Sequence, residues 1–300
     1  MTVKHLPSIS SKEASAIFVT GAPRSGTSWL GEMLAACSKV RYVYEPFNFQ
    51  WSPRLETHLP HFKYLRPGAP APSLVQLSSG QAFRGKQTPK QLLRSVYRGY
   101  WRSSFGCYDK VLVKDPTAVL MADWIEHEYN AQIVSIIRHP YGFASSILPL
   151  GWDLSLKRFL RQKHLVQDYF KEYESLLVRL SKVSDPWVKA GALWSVINTV
   201  VLQRHKSNGR IICKYEDLCE NPLSAMKELT QMLKLESDIS KISDSREGVT
   251  SSTANDAGST ARDSQQMASI WMSRMTDQQI NTVMDVVSEF GLARYYPETS

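Results

Sequence analysis

Gly21-Ala22-Pro23-Arg24-Ser25-Gly26-Thr27-Ser28-Trp29-Leu30, entered directly from the apolar run Ala16-Ile17-Phe18-Val19-Thr20, decides how this 300-residue chain folds. The apolar run reads as a short buried strand, the glycine-bracketed segment as a tight loop, and 26–37 as an amphipathic helix. Glycines let a backbone wrap closely, and the N–H groups of such a loop and helix start point at an anion. The spacing is G-x-x-x-x-G, but Thr27 stands where a nucleotide triphosphatase places lysine. That lysine reaches the β- and γ-phosphates, so a loop without it suits a nucleotide lacking a triphosphate tail. Arg24, inside the loop, is placed to meet a shorter, strongly anionic 5′ group.

Working outward, apolar runs alternate with helical patterns. Strands are predicted at 16–20, 41–44, 110–114, 132–137 and 210–214. Helices are predicted at 26–37, 89–101, 117–128, 140–148, 155–181, 186–207, 222–234 and 276–290. Short, doubly buried strands alternating with helices predict an α/β fold, a central parallel sheet of about five strands with helices on both faces. Sites on such sheets lie at the carboxyl ends of strands. The loop, Glu45, Lys114, Arg138 and Tyr215 all fall at such ends. No repeat or domain boundary is visible, so 1–300 reads as one domain. Residues 47–88 carry prolines, aromatics and basic groups and read as a packed lid. Residues 243–265 are small and polar and read as a mobile loop.

The formal charge of +8 is dispersed, with no run of five Lys or Arg, which suits an anionic ligand better than a nucleic acid. Four cysteines (Cys37, Cys107, Cys213, Cys219) lack zinc or redox spacing. Met1–Lys12 has no apolar signal core, and no run approaches the roughly 18 apolar residues of a membrane span. A reducing cytoplasm is the expected compartment.

Pro23-Arg24-Ser25-Gly26-Thr27-Ser28-Trp29 resembles the 5′-phosphosulfate loop of sulfotransferases that use 3′-phosphoadenosine 5′-phosphosulfate (PAPS). Three further landmarks follow in the family's order: Val113-Lys114-Asp115-Pro116; Ile137-Arg138-His139-Pro140 with Ser146; and Lys214-Tyr215-Glu216-Asp217-Leu218. Together they cover about 16–235, and Trp271 with the helix after it extends the likeness toward the end. The resemblance implies a P-loop-kinase-like fold and sulfonate transfer from PAPS, without a metal, to a hydroxyl or amine of a small-molecule, natural-product or carbohydrate acceptor. The other product is adenosine 3′,5′-bisphosphate (PAP).

Carried over residue by residue, it implies that Arg24, Ser25, Gly26, Thr27 and Ser28 hold the 5′-phosphosulfate. Trp29 and Tyr215 line the adenine, Arg138 and Ser146 grip the 3′-phosphate, and Lys114 meets the transferred sulfonate or the bridging oxygen. Ser145 is adjacent, but the family's eight-residue offset selects Ser146. The family's basic segment before Trp271 is replaced by Ser264-Gln265-Gln266, leaving Arg262 as a substitute for the second half of the 3′-phosphate grip. Pro116 occupies the place of the cytosolic family's catalytic histidine. Tyr44-Glu45-Pro46-Phe47-Asn48 instead fits the pattern of carbohydrate sulfotransferases, making Glu45 the expected general base. Glu45 could alternatively pair with Arg24 or Lys114 and only orient them, with Asp115, His58 and His61 as other bases. Glu216 and Asp217 read as helix-capping groups. Two rival functions remain. Val111–Asp115 imitates the metal-binding strand of a nucleotide kinase or NTPase, which Thr27 opposes, and a catalytically silent nucleotide-binding protein would lack a use for Glu45 and Lys114.

Overall fold

A computed structural model describes residues 16–52, 55, 61–97, 106–208, 210–236 and 264–296. Five parallel strands form the sheet: β1 (Ala16–Gly21), β2 (Val40–Tyr44), β3 (Lys110–Lys114), β4 (Ala131–Ile137) and β5 (Ile211–Lys214), in the order β2-β3-β1-β4-β5. The expected fold class and all five strands are present, with ends within one residue of the sequence reading.

Alternation along β1 builds the layers. Ile17 and Val19 pack with Leu30, Met33 and Leu34 of helix α1 (Thr27–Ala35). Ala16 and Phe18 face the other way, toward Trp124 and Ile125 of a helix in the β3–β4 crossover. A strand buried on both faces needs apolar residues at every position, and β1 has them as far as Val19. A third core joins the β4 end to the helices beyond it, around Phe143, Trp194, Ile197 and Val287.

The remaining main helices are α2 (Ser73–Ala82), α3 (Pro89–Tyr97), α4 (Ala122–Tyr129), α5 (Pro140–Ile147), α6 (Glu174–Leu180), α7 (Pro186–Asn208), α8 (Tyr215–Glu220), α9 (Pro222–Met232), α10 (Ser264–Ser269) and α11 (Asp277–Glu289). Helix α3 covers the free edge of β2. Gln87 and Gln91 donate side-chain N–H groups to the carbonyls of Tyr42 and Tyr44, satisfying an edge that would otherwise invite pairing.

Two expectations need correction, the continuous helix over 155–181 and the lack of a helix between β5 and Pro222. The continuous helix predicted over 155–181 is broken into the turns Lys157–Leu160 and Lys163–Leu165, a π-helical turn Val166–Phe170, a 3-10 turn Lys171–Tyr173 and α6. Gln162 sits at the first break with φ −94° and ψ 82°. Its amide accepts from Tyr64 N–H (2.7 Å) and donates to Phe62 O (2.9 Å), so tertiary bonding overrides local periodicity. Within 47–88, α2 forms, and Leu65, Val75, Ala82 and Phe83 join the core beside Phe18. Immediately after β5, α8 forms where the sequence reading placed none before Pro222. Of the segment 243–265, only Ser264 and Gln265 are described, and they begin α10.

Gly21 ends β1 at φ 151°, and a Cβ there would lie 2.2 Å from the carbonyl oxygen of Ile136. Because that neighbour is backbone in a paired strand, it cannot yield cheaply. Gly21→Ala is expected to destabilise the fold by about 2 kcal/mol or more. Urea unfolding tests this, and an unchanged midpoint would contradict it.

Candidate active site

The loop after β1 closes on itself through Ser25 N–H to Ala22 O (3.1 Å) and Leu30 N–H to Gly26 O (3.0 Å). Arg24 and Gly26 adopt positive φ (68° and 94°). At Gly26 a Cβ would meet the Tyr215 ring at 2.5 Å, so only glycine admits the aromatic there. No side chain caps α1, which leaves its first-turn N–H groups for a ligand. Ser25 Oγ is buried without a hydrogen-bond partner among the described residues. An orphaned buried hydroxyl costs free energy unless an acceptor or donor meets it, and an anion in the cradle would do so.

At the end of β4, Trp194 Nε1 donates to the main-chain oxygen of Arg138 (2.8 Å), fixing that residue from beneath. The Arg138 guanidinium lies 4.5 Å over the Tyr215 ring. It donates to Arg24 O (3.0 Å) and Met267 O (3.1 Å), while its Nε has no partner among the described residues. Arg24 Nε donates to Ser146 Oγ (3.0 Å). Ser145 Oγ instead turns to Gly142 O (3.4 Å) in the interior. The structure therefore brings Arg24, Arg138 and Ser146 together. Trp29 and Tyr215 meet edge to face, ring centroids 6.1 Å apart, beside the same cations.

Lys114 and Glu45 meet on the far side of the loop. The Lys114 ammonium is wholly buried and donates to Ser28 Oγ (2.8 Å) and Glu45 Oε1. It also lies 3.9 Å over the Tyr44 ring. The second Glu45 oxygen accepts from Asn48 Nδ2 (2.7 Å). Burial pushes the Glu45 carboxyl pKa up, but the Lys114 charge and these hydrogen bonds outweigh it and hold the carboxyl below its ordinary range. Burial likewise opposes the charged Lys114, and the Glu45 charge outweighs it, raising the ammonium pKa. Glu45 thus does pair with Lys114, one of the two alternatives in its sequence reading.

Asp115 is buried, with both oxygens bonded by Phe47 and Thr117. Burial and then the Glu45 charge push its pKa up to about 7. His61 stacks on Phe49 at 4.2 Å, and burial followed by the Arg158 charge lowers its pKa. His58, Arg262 and the segment 243–263 lie outside the described residues. Glu216 falls within the first turn of α8, where its carboxylate accepts from His139 N–H (2.8 Å) and Tyr296 OH (3.3 Å). It ties three elements together from the first turn of its helix. Sequence reasoning missed Asn48, although its place three residues after Glu45 was a signal. It also missed Arg94, whose guanidinium lies 3.3 Å over Tyr44. Nothing local in sequence marks that contact.

The chain matches the family model described as the sulfotransferase family over residues 16–238. It belongs to the sulfotransferase family. Among solved structures, this sulfotransferase is similar to the sulfotransferase domain from the curacin biosynthetic pathway, with 16% identity, a TM-score of 0.50, and coverage of 94% of this chain and 99% of that one. The sulfotransferase domain from the Synechococcus PCC 7002 olefin synthase matches at 17% identity and TM-score 0.49, over 96% of this chain and 98% of that one. A mouse sulfotransferase complexed with PAP matches at 13% identity and TM-score 0.48, over 96% and 87%. At such identity the first likeness is one of fold. A comparison with curated protein sequences gives no match. No helix among the described residues is long and apolar enough to cross a membrane.

His139 caps α5, accepts from Tyr141 N–H (3.3 Å) and stacks on Trp271 (5.4 Å). Burial, with the Lys214 and Arg138 charges, lowers its pKa to about 4. The unfolded chain takes up this proton first, so stability is full above pH about 6.5 and falls as pH drops toward 4. The loss is on the order of 3 kcal/mol across that window. His139→Asn, which can still cap the helix, should flatten the fall of melting temperature between these pH values. Identical slopes for wild type and variant would contradict the assignment.

Proposed function

We propose that this sulfotransferase moves the sulfonate of PAPS to a hydroxyl or amine of a small-molecule or carbohydrate acceptor, with Glu45 as general base. One observation carries the reading: a single buried cation, Lys114, bonds both the Ser28 hydroxyl of the anion loop and the Glu45 carboxylate. A donor held by the loop and an acceptor held against Glu45 would therefore meet at Lys114.

In this reading Ser25, Gly26, Thr27 and Ser28 hold the 5′-phosphosulfate with Arg24. Arg138 and Ser146 hold the 3′-phosphate, and Trp29 and Tyr215 enclose the adenine. The orphaned Ser25 Oγ and Arg138 Nε fit these two anions. For a hydroxyl acceptor, its oxygen forms the new bond to sulfur while the bond from sulfur to the bridging oxygen breaks. The acceptor proton passes to Glu45, and PAP leaves. Lys114 and Arg24 stabilise charge on the sulfonate and leaving oxygens, so positioning and electrostatics supply most of the acceleration. The pairing that lowers the Glu45 pKa keeps it deprotonated at neutral pH, the state a base needs. Phe49, Trp51 and His61, near the Glu45 turn, supply an aromatic wall for the acceptor. Trp51 packs edge-on to Tyr44 at 5.5 Å.

PAP should stabilise the protein against heat far more than AMP or ATP does. Arg138→Ala should erase most of that preference, at a cost of about 2–3 kcal/mol in PAP affinity. Equal shifts from PAP and AMP would contradict a 3′-phosphate site. The base is tested by transfer to water, read as sulfate and PAP released together. Glu45→Gln should lower this rate by about 10²–10⁴-fold with PAP affinity nearly unchanged, and should remove the acidic limb of the rate profile. Lys114→Met should also slow transfer but keep that limb, moved to higher pH because the neighbouring cation is gone. An unchanged rate and acidic limb in Glu45→Gln would place the base elsewhere.

A further inference from the structure

Glu45 has a backbone φ of 44°, in the left-handed region that residues with a Cβ rarely occupy. Such a conformation persists only when its surroundings over-determine it. Asn48 N–H closes the turn on Glu45 O (3.2 Å), and Glu45 N–H is held by Lys114 O (2.7 Å). The third tie comes from Asp115. Its Oδ2 accepts from Phe47 N–H (2.7 Å), while its Oδ1 accepts from Thr117 N–H (2.8 Å) and the Thr117 hydroxyl (2.7 Å). One carboxylate therefore laces the turn after β2 to the turn after β3.

Asp115 is itself immobilised from the centre of the sheet. Its N–H donates to Val19 O (3.1 Å), and its carbonyl accepts from Thr20 Oγ1 (2.8 Å). Phe47, whose N–H it holds, is anchored by a side chain buried in the core beside Phe18 and Val113. The chain of contacts runs from β1 through Asp115 to Phe47, two residues beyond Glu45. With Lys114 O on the near side, the backbone of Glu45 is pinned from both directions.

We propose that Asp115 is the positioning residue for Glu45, fixing the turn that sets the Glu45 carboxylate against Lys114 and Asn48. Asp115 moves no proton of the reaction. This inference rests on the reading of Glu45 as the base. An asparagine at this position could still accept from Thr117, but the amide group left facing Phe47 N–H would be a second donor. The turn would lose its tie with almost no change in side-chain volume.

Transfer of sulfonate from PAPS to water is measured for Asp115→Asn in two backgrounds, wild type and Glu45→Gln. Because misplacing a reacting group by about 1 Å can cost about 100-fold, the expected loss in the wild-type background is about 10–100-fold. In the Glu45→Gln background the same change should cost less than about threefold, since its effect passes through a base already removed. PAP affinity should stay within about threefold in every variant. Equal losses in both backgrounds, or a wild-type rate for Asp115→Asn, would overturn the proposal. Should Asp115→Asn not fold, Thr117→Val decides. It removes one bond to Oδ1 and should cost about 3–10-fold in the wild-type background alone; an unchanged rate there overturns the proposal. If Glu45→Gln itself retains a normal rate, the base reading has failed. If Glu45→Gln is slow while Asp115→Asn acts equally in both backgrounds, the base stands and only the positioning role falls.

Discussion

The Lys114–Glu45 ion pair sits where β2 and β3 end, with the lysine wholly buried and the Glu45 side chain 9% exposed, and much of the surrounding architecture exists to make it tolerable. Desolvating an ammonium and a carboxylate costs several kcal/mol per ion in real proteins. Their attraction offsets this only when the remaining hydrogen-bonding capacity is met. Here Ser28 and Asn48 meet it, and the face of Tyr44 adds a cation–π contact on the lysine. Two apolar side chains could fill the same volume at similar or better stability. Stability is therefore a poor reason for this pair. A site that needs a fixed cation and an ionised carboxylate within one bond of each other is a better one.

The sheet order explains why everything converges there. Connections leave β1 toward β2 on one face and cross from β3 to β4 on the other, so loops diverge above the central strand and open a crevice. The anion loop occupies that point. On one side it touches Lys114 through Ser28. On the other it reaches β4 and α5 through Arg24, whose carbonyl holds Arg138 and whose guanidinium holds Ser146. The C-terminal part closes over this second side, with Arg138 bonded to Met267 O and Trp271 stacked on His139. Both sides are thus mechanically continuous with one loop.

Much of this was legible in sequence because it is local or periodic. The β1-loop-α1 signature lies within ten consecutive residues, and the strands announce themselves as apolar runs with chemistry at their carboxyl ends. Arg138 follows β4 and Ser146 lies near the end of the next helix, α5, and their offset was readable through the family resemblance. The helix predicted over 155–181 failed because its pattern is interrupted by Gln162 serving a segment about 100 residues away in sequence. The roles of Asp115 and Arg94 were invisible for the same reason. Asp115 reads as a carboxylate next to a strand-end lysine, and only the register of β2 against β3 turns it toward Phe47. Arg94 reads as one more basic residue on a polar helix, and only the packing of α3 on the sheet edge places it over Tyr44.

In the function proposed above, the anion loop and the Lys114–Glu45 pair together carry out sulfonate transfer from PAPS. Mass spectrometry of the purified protein incubated with PAPS and a host metabolite extract addresses it directly. At least one metabolite should gain a single sulfonate group, with PAP formed in equal amount, in the absence of ATP and after removal of divalent metal ions. Transfer of phosphate from ATP instead, or tight PAP binding with no sulfonated product from any acceptor, would contradict it.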